Sequence, residues 1–173
     1  MLNITKWFKH TVLASIICIT PTTSFAAASF LETDKPFYMI EDEHSRNEAW
    51  GTCVAVYDLM SIIQKEESPS TSEQMAQTSN GAKIALYMDY FLAMDSEASS
   101  SQISARSKMG KVLMESIPET QLTGIFAAGE QMQHSEEWFA LLTSTLGLCL
   151  SNLDQQQILI NSWRDMYASG AFE

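Results

Sequence analysis

The residues in this sequence with the greatest potential for chemistry are its carboxylates and histidines. The 173-residue chain contains 21 Asp and Glu residues and 3 histidines. Glu130 and His134 are four positions apart, which places them on one face of a helix, and His44 follows the acidic run Glu41-Asp42-Glu43. A zinc or iron site needs three or four ligands at set spacing, such as His-Glu-x-x-His or Glu-x-x-His repeated on partner helices. Neither pattern is present, so the sequence predicts no metal and no cofactor.

A hydrolytic role would have to depend on carboxylates, because the serines form no Gly-x-Ser-x-Gly elbow. Asp58 and Asp89 lie beside apolar positions of predicted helices. A general acid needs an apolar setting that raises its carboxyl pKa, and the sequence marks out no carboxylate pair by such a setting. A place at the edge of a helix face explains both residues more simply. We therefore expect a protein that is not an enzyme, with a carboxylate-based envelope hydrolase as an alternative.

The chain has three cysteines, at positions 18, 53 and 149. Cys18 lies within an apolar N-terminal run and follows Ile17, where lipid attachment would require a small residue. Cys53 and Cys149 fall on apolar faces of predicted helices, and two thiols in one small exported domain usually pair. We therefore predict a Cys53–Cys149 disulfide, with two separate buried thiols as the alternative. The absence of Cys-x-x-Cys argues against a thioredoxin-like redox role.

Aromatic side chains are the one indication of a ligand pocket. Seven of them could line a cavity between helices: Trp50, Tyr57, Tyr87, Tyr90, Phe91, Trp138 and Trp163. Their helical spacing is equally typical of an ordinary core, which is the simpler interpretation. A carrier of a small apolar ligand is thus a second alternative function.

The N-terminus has the features of a secretory signal peptide. Lys6 and Lys9 precede a short apolar segment from Val12 to Ile19, and small residues follow at Ala26 and Ala28. That order is typical of a cleaved leader, and the apolar segment is too short to span a bilayer. We predict cleavage after Ala26 or Ala28 and a periplasmic or secreted location.

Removal of residues 1–28 would leave about 145 residues, enough for a single domain with its own core. The remaining chain has 8 basic residues against 21 acidic ones, a net charge of −13. Nucleic acids and anionic lipid surfaces require neutralising Lys and Arg, so neither is an expected partner. No later segment is long and apolar enough to predict membrane insertion. The charge instead favours a basic protein partner.

Hydrophobic periodicity predicts a succession of helices after an extended acidic arm, residues 29–44. The first helix runs from about Ser45 to Lys65, with Ser45 and Glu48 as a capping box. The second ends near Met94 and contains Gly81, which predicts a break or a close crossing with another helix.

The second half of the chain predicts three or four further helices. One spans about Gln102 to Ile117, and the next begins with Pro118 at its first position, because proline is favoured there. Ser135 caps another, and the last runs from about Asp154 to Ala168, with Gly170 placed to end it.

No alternating strand pattern of useful length and no internal repeat is present. The predicted fold is therefore all-α, a single irregular bundle of five or six helices within residues 45–173, after the leader and the arm. We expect an exported, non-enzymatic interaction protein that binds a basic protein, for example as an inhibitor or immunity protein.

Overall fold

A computed structural model describes residues 29–95 and 97–170 of the chain, and these residues form five α-helices and no strand. The helices are α1 (Glu43–Gln64), α2 (Pro69–Leu92), α3 (Ser100–Gln131), α4 (Glu136–Leu150) and α5 (Leu153–Ala168). A short 3₁₀ turn, Phe37–Met39, precedes them. The predicted all-α bundle is confirmed. The predicted leader, residues 1–28, lies outside the described residues.

The first helix begins earlier than the sequence pattern indicated. Asp42 is its N-cap, and the Asp42 carboxylate accepts a 2.7 Å hydrogen bond from the backbone N–H of Ser45. The predicted capping box of Ser45 and Glu48 is therefore wrong, because an acidic N-cap three residues upstream satisfies that N–H first. The last two residues of the predicted arm accordingly belong to α1.

The second helix is continuous, and Gly81 marks a close crossing instead of a break. α2 begins with Pro69 at its first turn. A Cβ added at Gly81 would overlap the Gln156 side chain of α5. The buried Gln156 donates from Nε2 to the Thr78 carbonyl at 3.3 Å. The missing side chain of Gly81 thus lets α5 approach α2 closely.

The third and fourth helices predicted from the sequence are a single helix. α3 runs for 32 residues through Pro118 without ending. The prediction of a new helix at Pro118 is wrong, because proline is tolerated inside a helix when tertiary packing offsets its missing hydrogen bond. Pro118 is buried, and the adjacent Ile117 packs where a Cβ at Gly51 of α1 would otherwise lie.

The start of α4 and the end of α5 follow their sequence signals closely. The Ser135 side chain accepts the backbone N–H of Trp138 at 3.4 Å and caps α4, as predicted. The turn before it contains Gln133 and His134 with φ values of 53° and 49°. Gly170, with φ 75°, follows α5 and is in the left-handed conformation that favours glycine.

α1 is the central element of the bundle and packs against α2, α3 and α4. Its buried side chains join two neighbouring apolar clusters, one shared with α2 and α5 and one with α3 and α4. A disulfide joins Cys53 of α1 to Cys149 of α4, with 1.99 Å between the sulfurs and both residues 1% exposed. The predicted pairing is therefore present, and it links positions 96 residues apart.

Candidate functional site

The arm lies along the bundle and is fixed by side chains from the C-terminal half of the chain. The Phe30 backbone N–H donates to Thr145 Oγ1 at 2.9 Å. The Phe37 and Tyr38 N–H groups donate to Asn152 Oδ1 and Gln155 Oε1, both at 3.0 Å. These acceptors come from α4 and the start of α5, and they hold the arm near its beginning and at its 3₁₀ turn.

Apolar contacts complete the attachment of the arm. Leu31 and Phe37 are buried in the main core cluster. The Phe37 ring meets the Trp50 indole edge to face, with 4.8 Å between ring centroids. Edge-to-face aromatic pairs stabilise by about 0.5–1.5 kcal/mol beyond the area they bury. The arm is therefore an integral part of the folded domain.

A cleft of about 570 Å³ lies between the arm, the first three turns of α1 and Gln121 of α3, and we call it the acidic cleft. Its lining contains four carboxylates and one lysine. The charged members are Glu32, Lys35, Glu41, Asp42 and Glu48. Apolar and hydroxyl or amide side chains form the rest: Phe30, Leu31, Met39, Ile40, Ala49, Thr33, Ser45, Thr52 and Gln121. The cleft thus combines apolar surface with excess negative charge.

Two carboxylates of the cleft have defined local partners. The hydrogen bond from the Ser45 N–H holds the pKa of Asp42 below its ordinary value, so this side chain is charged at neutral pH. Glu48 lies one turn beyond His44, with 3.4 Å between Oε1 and the imidazole Nε2. The N-terminal end of α1 carries the partial positive charge of the helix dipole, whereas the carboxylates of the cleft are negative. The full charges of the carboxylates outweigh this partial charge.

Behind the cleft, a half-buried ion pair joins α1 to α2. Arg46 donates from Nε to Asp89 Oδ2 at 2.8 Å and from Nη1 to the Ile40 carbonyl at 2.7 Å. Trp50 Nε1 donates to the same Asp89 oxygen at 3.1 Å. Burial raises the pKa of Asp89. The charge of Arg46 and the hydrogen bonds from Arg46 and Trp50 lower this pKa, but they offset the effect of burial only in part. Asp89 thus fixes the end of the arm through Arg46.

A second arginine connects α3 to the same end of the bundle. Arg106 Nη2 lies 2.8 Å from Glu43 Oε1, and Arg106 Nε donates to the Tyr90 carbonyl at 2.9 Å. The guanidinium also lies over the Tyr90 ring, 3.7 Å from its centroid. Both arginines are engaged by acidic and carbonyl partners, so neither reduces the negative charge of the cleft mouth directly.

Asp58 and Asp89, the two carboxylates considered for hydrolysis, have different partners. Asp58 lies 3.5 Å from Lys83 Nζ on the outer side of α1 and α2. Asp89 contacts Arg46 and Trp50, which lie two or more turns nearer the start of α1. Because 3.6 residues make one helical turn, the two carboxylates serve separate parts of the helix pair.

The seven aromatic residues predicted as a possible pocket are divided between the core clusters and the domain surface. Trp50, Tyr57, Tyr87, Phe91 and Trp138 are buried, and Tyr90 and Trp163 are partly exposed. The Tyr87 ring stacks on Phe91 at 5.9 Å. Trp138 Nε1 donates to the Ile125 carbonyl at 3.1 Å. None of the seven lines the acidic cleft.

Among residues 29–95 and 97–170, no group of three or more His, Cys, Asp or Glu side chains could hold a metal ion. Within the same residues, no helix is both long enough and apolar enough to cross a membrane. The pair Glu130 and His134 is separated by the left-handed turn that ends α3, and His134 instead meets Trp138 edge to face at 5.1 Å.

Several cleft residues carry no sequence signal that would have identified them. The acidic run at positions 41–43 was visible, but Glu32, Thr52 and Gln121 join it only through folding. The contacts of the arm with Thr145 and Asn152 bridge 115 positions of the chain. No periodicity or local motif encodes such distant pairings.

The chain matches no protein-family model, no curated protein sequence and no solved structure. Its disulfide is of the kind that persists in an oxidising compartment. What the acidic cleft can bind is therefore inferred from its own chemistry, which is that of four carboxylates and one lysine beside apolar side chains.

Proposed function

We propose that this protein is an exported, non-enzymatic interaction protein that binds a basic protein partner through the acidic cleft. An inhibitor or immunity protein that neutralises a basic enzyme or toxin of the cell envelope is the specific form of this proposal. The observation that carries it is the composition of the cleft, four carboxylates and one lysine beside apolar side chains such as Met39 and Ile40.

The cleft suits lysine or arginine side chains better than simple cations. Both side chains place a methylene stem on apolar surface and extend a charged head to polar groups. Met39 and Ile40 supply apolar surface beside Glu41. A guanidinium that meets a carboxylate forms charge-assisted hydrogen bonds, which are stronger than neutral ones. A basic segment of a folded partner would therefore gain both apolar contact and ionic contact.

The charge of the whole domain supports the same partner. The net charge of −13 over residues 29–173 accelerates association with a basic surface and disfavours polyanions. The leader pattern and the disulfide support a periplasmic or secreted location, where such a partner would be met.

The test is affinity capture from the envelope extract with the exported, oxidised protein, followed by elution with increasing salt. Screening by salt weakens contacts between exposed charges, so we expect a basic protein to be released as the ionic strength rises. A bait carrying Glu32→Gln, Glu41→Gln and Glu48→Gln should lose this protein.

The matched control bait carries Glu66→Gln, Glu67→Gln and Glu130→Gln, three exposed carboxylates outside the cleft. It removes the same amount of charge and should retain the partner. Equal loss from both baits would mean that capture depends on net charge alone, and an empty eluate at low salt would contradict the proposal entirely.

A further inference from the structure

A second groove, which shares no lining residue with the acidic cleft, lies where α1, α2 and α3 meet. It has a volume of about 460 Å³, and we call it the three-helix groove. Its apolar lining is Ala55, Met114, Pro118 and Leu122, and its charged lining is Asp58, Lys83, Glu115 and Glu119. Three carboxylates against one lysine give this groove excess negative charge as well.

The α3 side of the groove continues as a regular stripe along the helix. Val112, Glu115, Glu119, Leu122 and Phe126 follow each other at alternating spacings of three and four residues. Positions with this spacing lie on one face of a helix and form the seam by which helices pair. At 1.5 Å per residue, the stripe is about 21 Å long.

The stripe is accessible in the folded domain. Val112 is 56% exposed and Phe126 36% exposed. α3 buries only a narrow face, composed of Gly110, Pro118, Ile125 and Gly129. The stripe lies to one side of that face, so Val112 and Phe126 have solvent where a neighbouring helix could pack, whereas the half-buried Leu122 also packs against the second core cluster.

The α1 side of the groove also combines an exposed apolar side chain with a carboxylate. Ala55, Asp58 and Ile62 lie at spacings of three and four residues and therefore share a face of α1. Ile62 is 67% exposed, a high value for a branched apolar side chain. Asp58 meets Lys83 at 3.5 Å, and both side chains are more than one third exposed, so this ion pair is open to exchange with another cation.

Pro118 adds a polar feature to the groove. Proline has no N–H, so the carbonyl of Met114, four residues earlier, cannot receive its usual helical hydrogen bond. Met114 and Pro118 both line the groove. An acceptor is thus placed among the apolar residues, where a donor from a bound side chain would satisfy it.

We propose that the three-helix groove is a docking site for a cationic amphipathic helix of a protein partner. Apolar side chains of that helix, at positions i, i+3, i+4 and i+7, pack between Val112, Leu122 and Ile62. Its Lys and Arg side chains flank this seam and meet Asp58, Glu115 and Glu119. This surface differs from the acidic cleft, so the inference goes beyond the proposed function.

Charge complementarity favours this occupant over two others. In a symmetric pair of copies of this chain, the stripes would bring Glu115 and Glu119 of each copy together, and like charges in a helix seam are destabilising. An anionic membrane surface would be repelled by the same carboxylates. A helix with apolar and basic faces satisfies both features of the groove.

The probe for the test is a fluorescein-labelled synthetic helix of 18 residues, with Leu at heptad positions a and d and Lys at e and g. Its binding to the oxidised protein is measured by fluorescence anisotropy. We expect saturable binding, and weakening of at least about tenfold for Glu115→Gln/Glu119→Gln and for Val112→Ser/Phe126→Ser. A scrambled peptide of the same composition should not bind.

Three further variants separate this groove from the rest of the surface. Glu66→Gln/Glu67→Gln and Ile158→Ser alter exposed groups elsewhere and should leave the affinity unchanged. The cleft variant Glu32→Gln/Glu41→Gln/Glu48→Gln should also bind the peptide normally. Failure of the proposed function would therefore not be confused with failure of this inference.

Two results would overturn the inference. One is equal weakening by the groove variants and by Glu66→Gln/Glu67→Gln, which would reduce binding to general charge attraction. The other is a dimer in sedimentation velocity that Val112→Ser/Phe126→Ser dissociates, since the stripe would then be covered by a second copy. Circular dichroism of each variant ensures that only folded proteins are compared.

Discussion

Two aspartates illustrate how local surroundings set the ionisation of single residues in this domain. Asp42 is fully solvated and accepts a backbone N–H at the start of α1, which lowers its pKa. Asp89 is half-buried, and burial raises its pKa although Arg46 is hydrogen-bonded to it. The two residues therefore make contributions of opposite sign to the pH dependence of stability.

The stabilising contribution of Asp42 should be lost in acid. Its folded-state pKa lies below the ordinary aspartate value of 3.8, so the capping carboxylate stabilises the fold above that pH and loses this effect as the pH falls through the lowered pKa. Asp42→Ala should therefore destabilise at pH 7 and have progressively less effect below pH 3.8. Urea unfolding measured between pH 2 and 7 checks this. Asp42→Asn, which keeps a capping side chain, is the control and should retain most of the stability at pH 7.

Asp89 should show the opposite trend. Because its folded-state pKa lies above the ordinary aspartate value of 3.8, its contribution to stability is greatest in acid and declines as the pH rises through the raised pKa. The unfolding free energy of the wild type relative to Asp89→Asn should therefore fall between pH 4 and pH 7. A constant difference over this range would mean that Arg46 fully compensates the burial of Asp89.

At the scale of the elements, glycines decide how closely the helices approach. Gly51 of α1 faces Ile117 of α3, and a Cβ there would overlap Ile117 Cγ2. Gly147 of α4 has nothing within 4 Å of the corresponding position. Both glycines reduce the intrinsic stability of their helices, but only Gly51 allows a close crossing in return.

Gly51→Ala should destabilise the fold by about 1 to 2 kcal/mol, because overpacking outweighs the gain in helix propensity. Gly147→Ala, the matched control, should stabilise it by up to about 1 kcal/mol. Denaturant unfolding of each variant gives the comparison. In an Ile117→Ala background the methyl group at position 51 has room, so Gly51→Ala should no longer lower the free energy of unfolding. If Gly51→Ala still destabilised the fold in that background, its overlap with Ile117 would not be the cause.

Element boundaries were the weakest part of the sequence interpretation. Pro118 predicted the start of a helix, yet α3 continues through it. The structure keeps this helix intact because Pro118 is buried and Ile117 fills the space left by Gly51. A local rule for proline cannot anticipate that compensation, since the partner residue lies on another helix.

For the whole molecule, the Cys53–Cys149 bond connects the central helix to the C-terminal half of the chain. α4 packs mainly against α1, and the bond lies within that contact, where both sulfur-bearing residues are buried. The 96-residue separation makes the loop that it closes a large part of the domain. In the chain-entropy model, such a bond acts chiefly by restricting the unfolded chain.

The double variant Cys53→Ala/Cys149→Ala should lose up to about 4 to 5 kcal/mol of unfolding free energy. Urea unfolding of the variant and of the reduced wild type should give similar losses. Hydrogen exchange should show α4 amides losing protection first. An unchanged unfolding free energy would mean that the bond does not stabilise the fold by restricting the unfolded chain, which contradicts the chain-entropy model here.

The sequence by itself determined the all-α class, the Ser135 cap and the acidic character of the domain. These properties depend on helical periodicity, on nearest neighbours along the chain, or on composition, all of which are read locally. It also singled out the acidic run at positions 41–43, although not the surface that this run belongs to.

Only the tertiary structure decided that the arm lies against α4 and α5, that α3 is continuous, and that two separate acidic surfaces exist. Each of these depends on residues far apart in the chain, such as Phe30 with Thr145 or Gly51 with Ile117. Contacts of this kind form when the fold as a whole minimises exposed apolar area and unsatisfied polar groups, and no short segment contains that information.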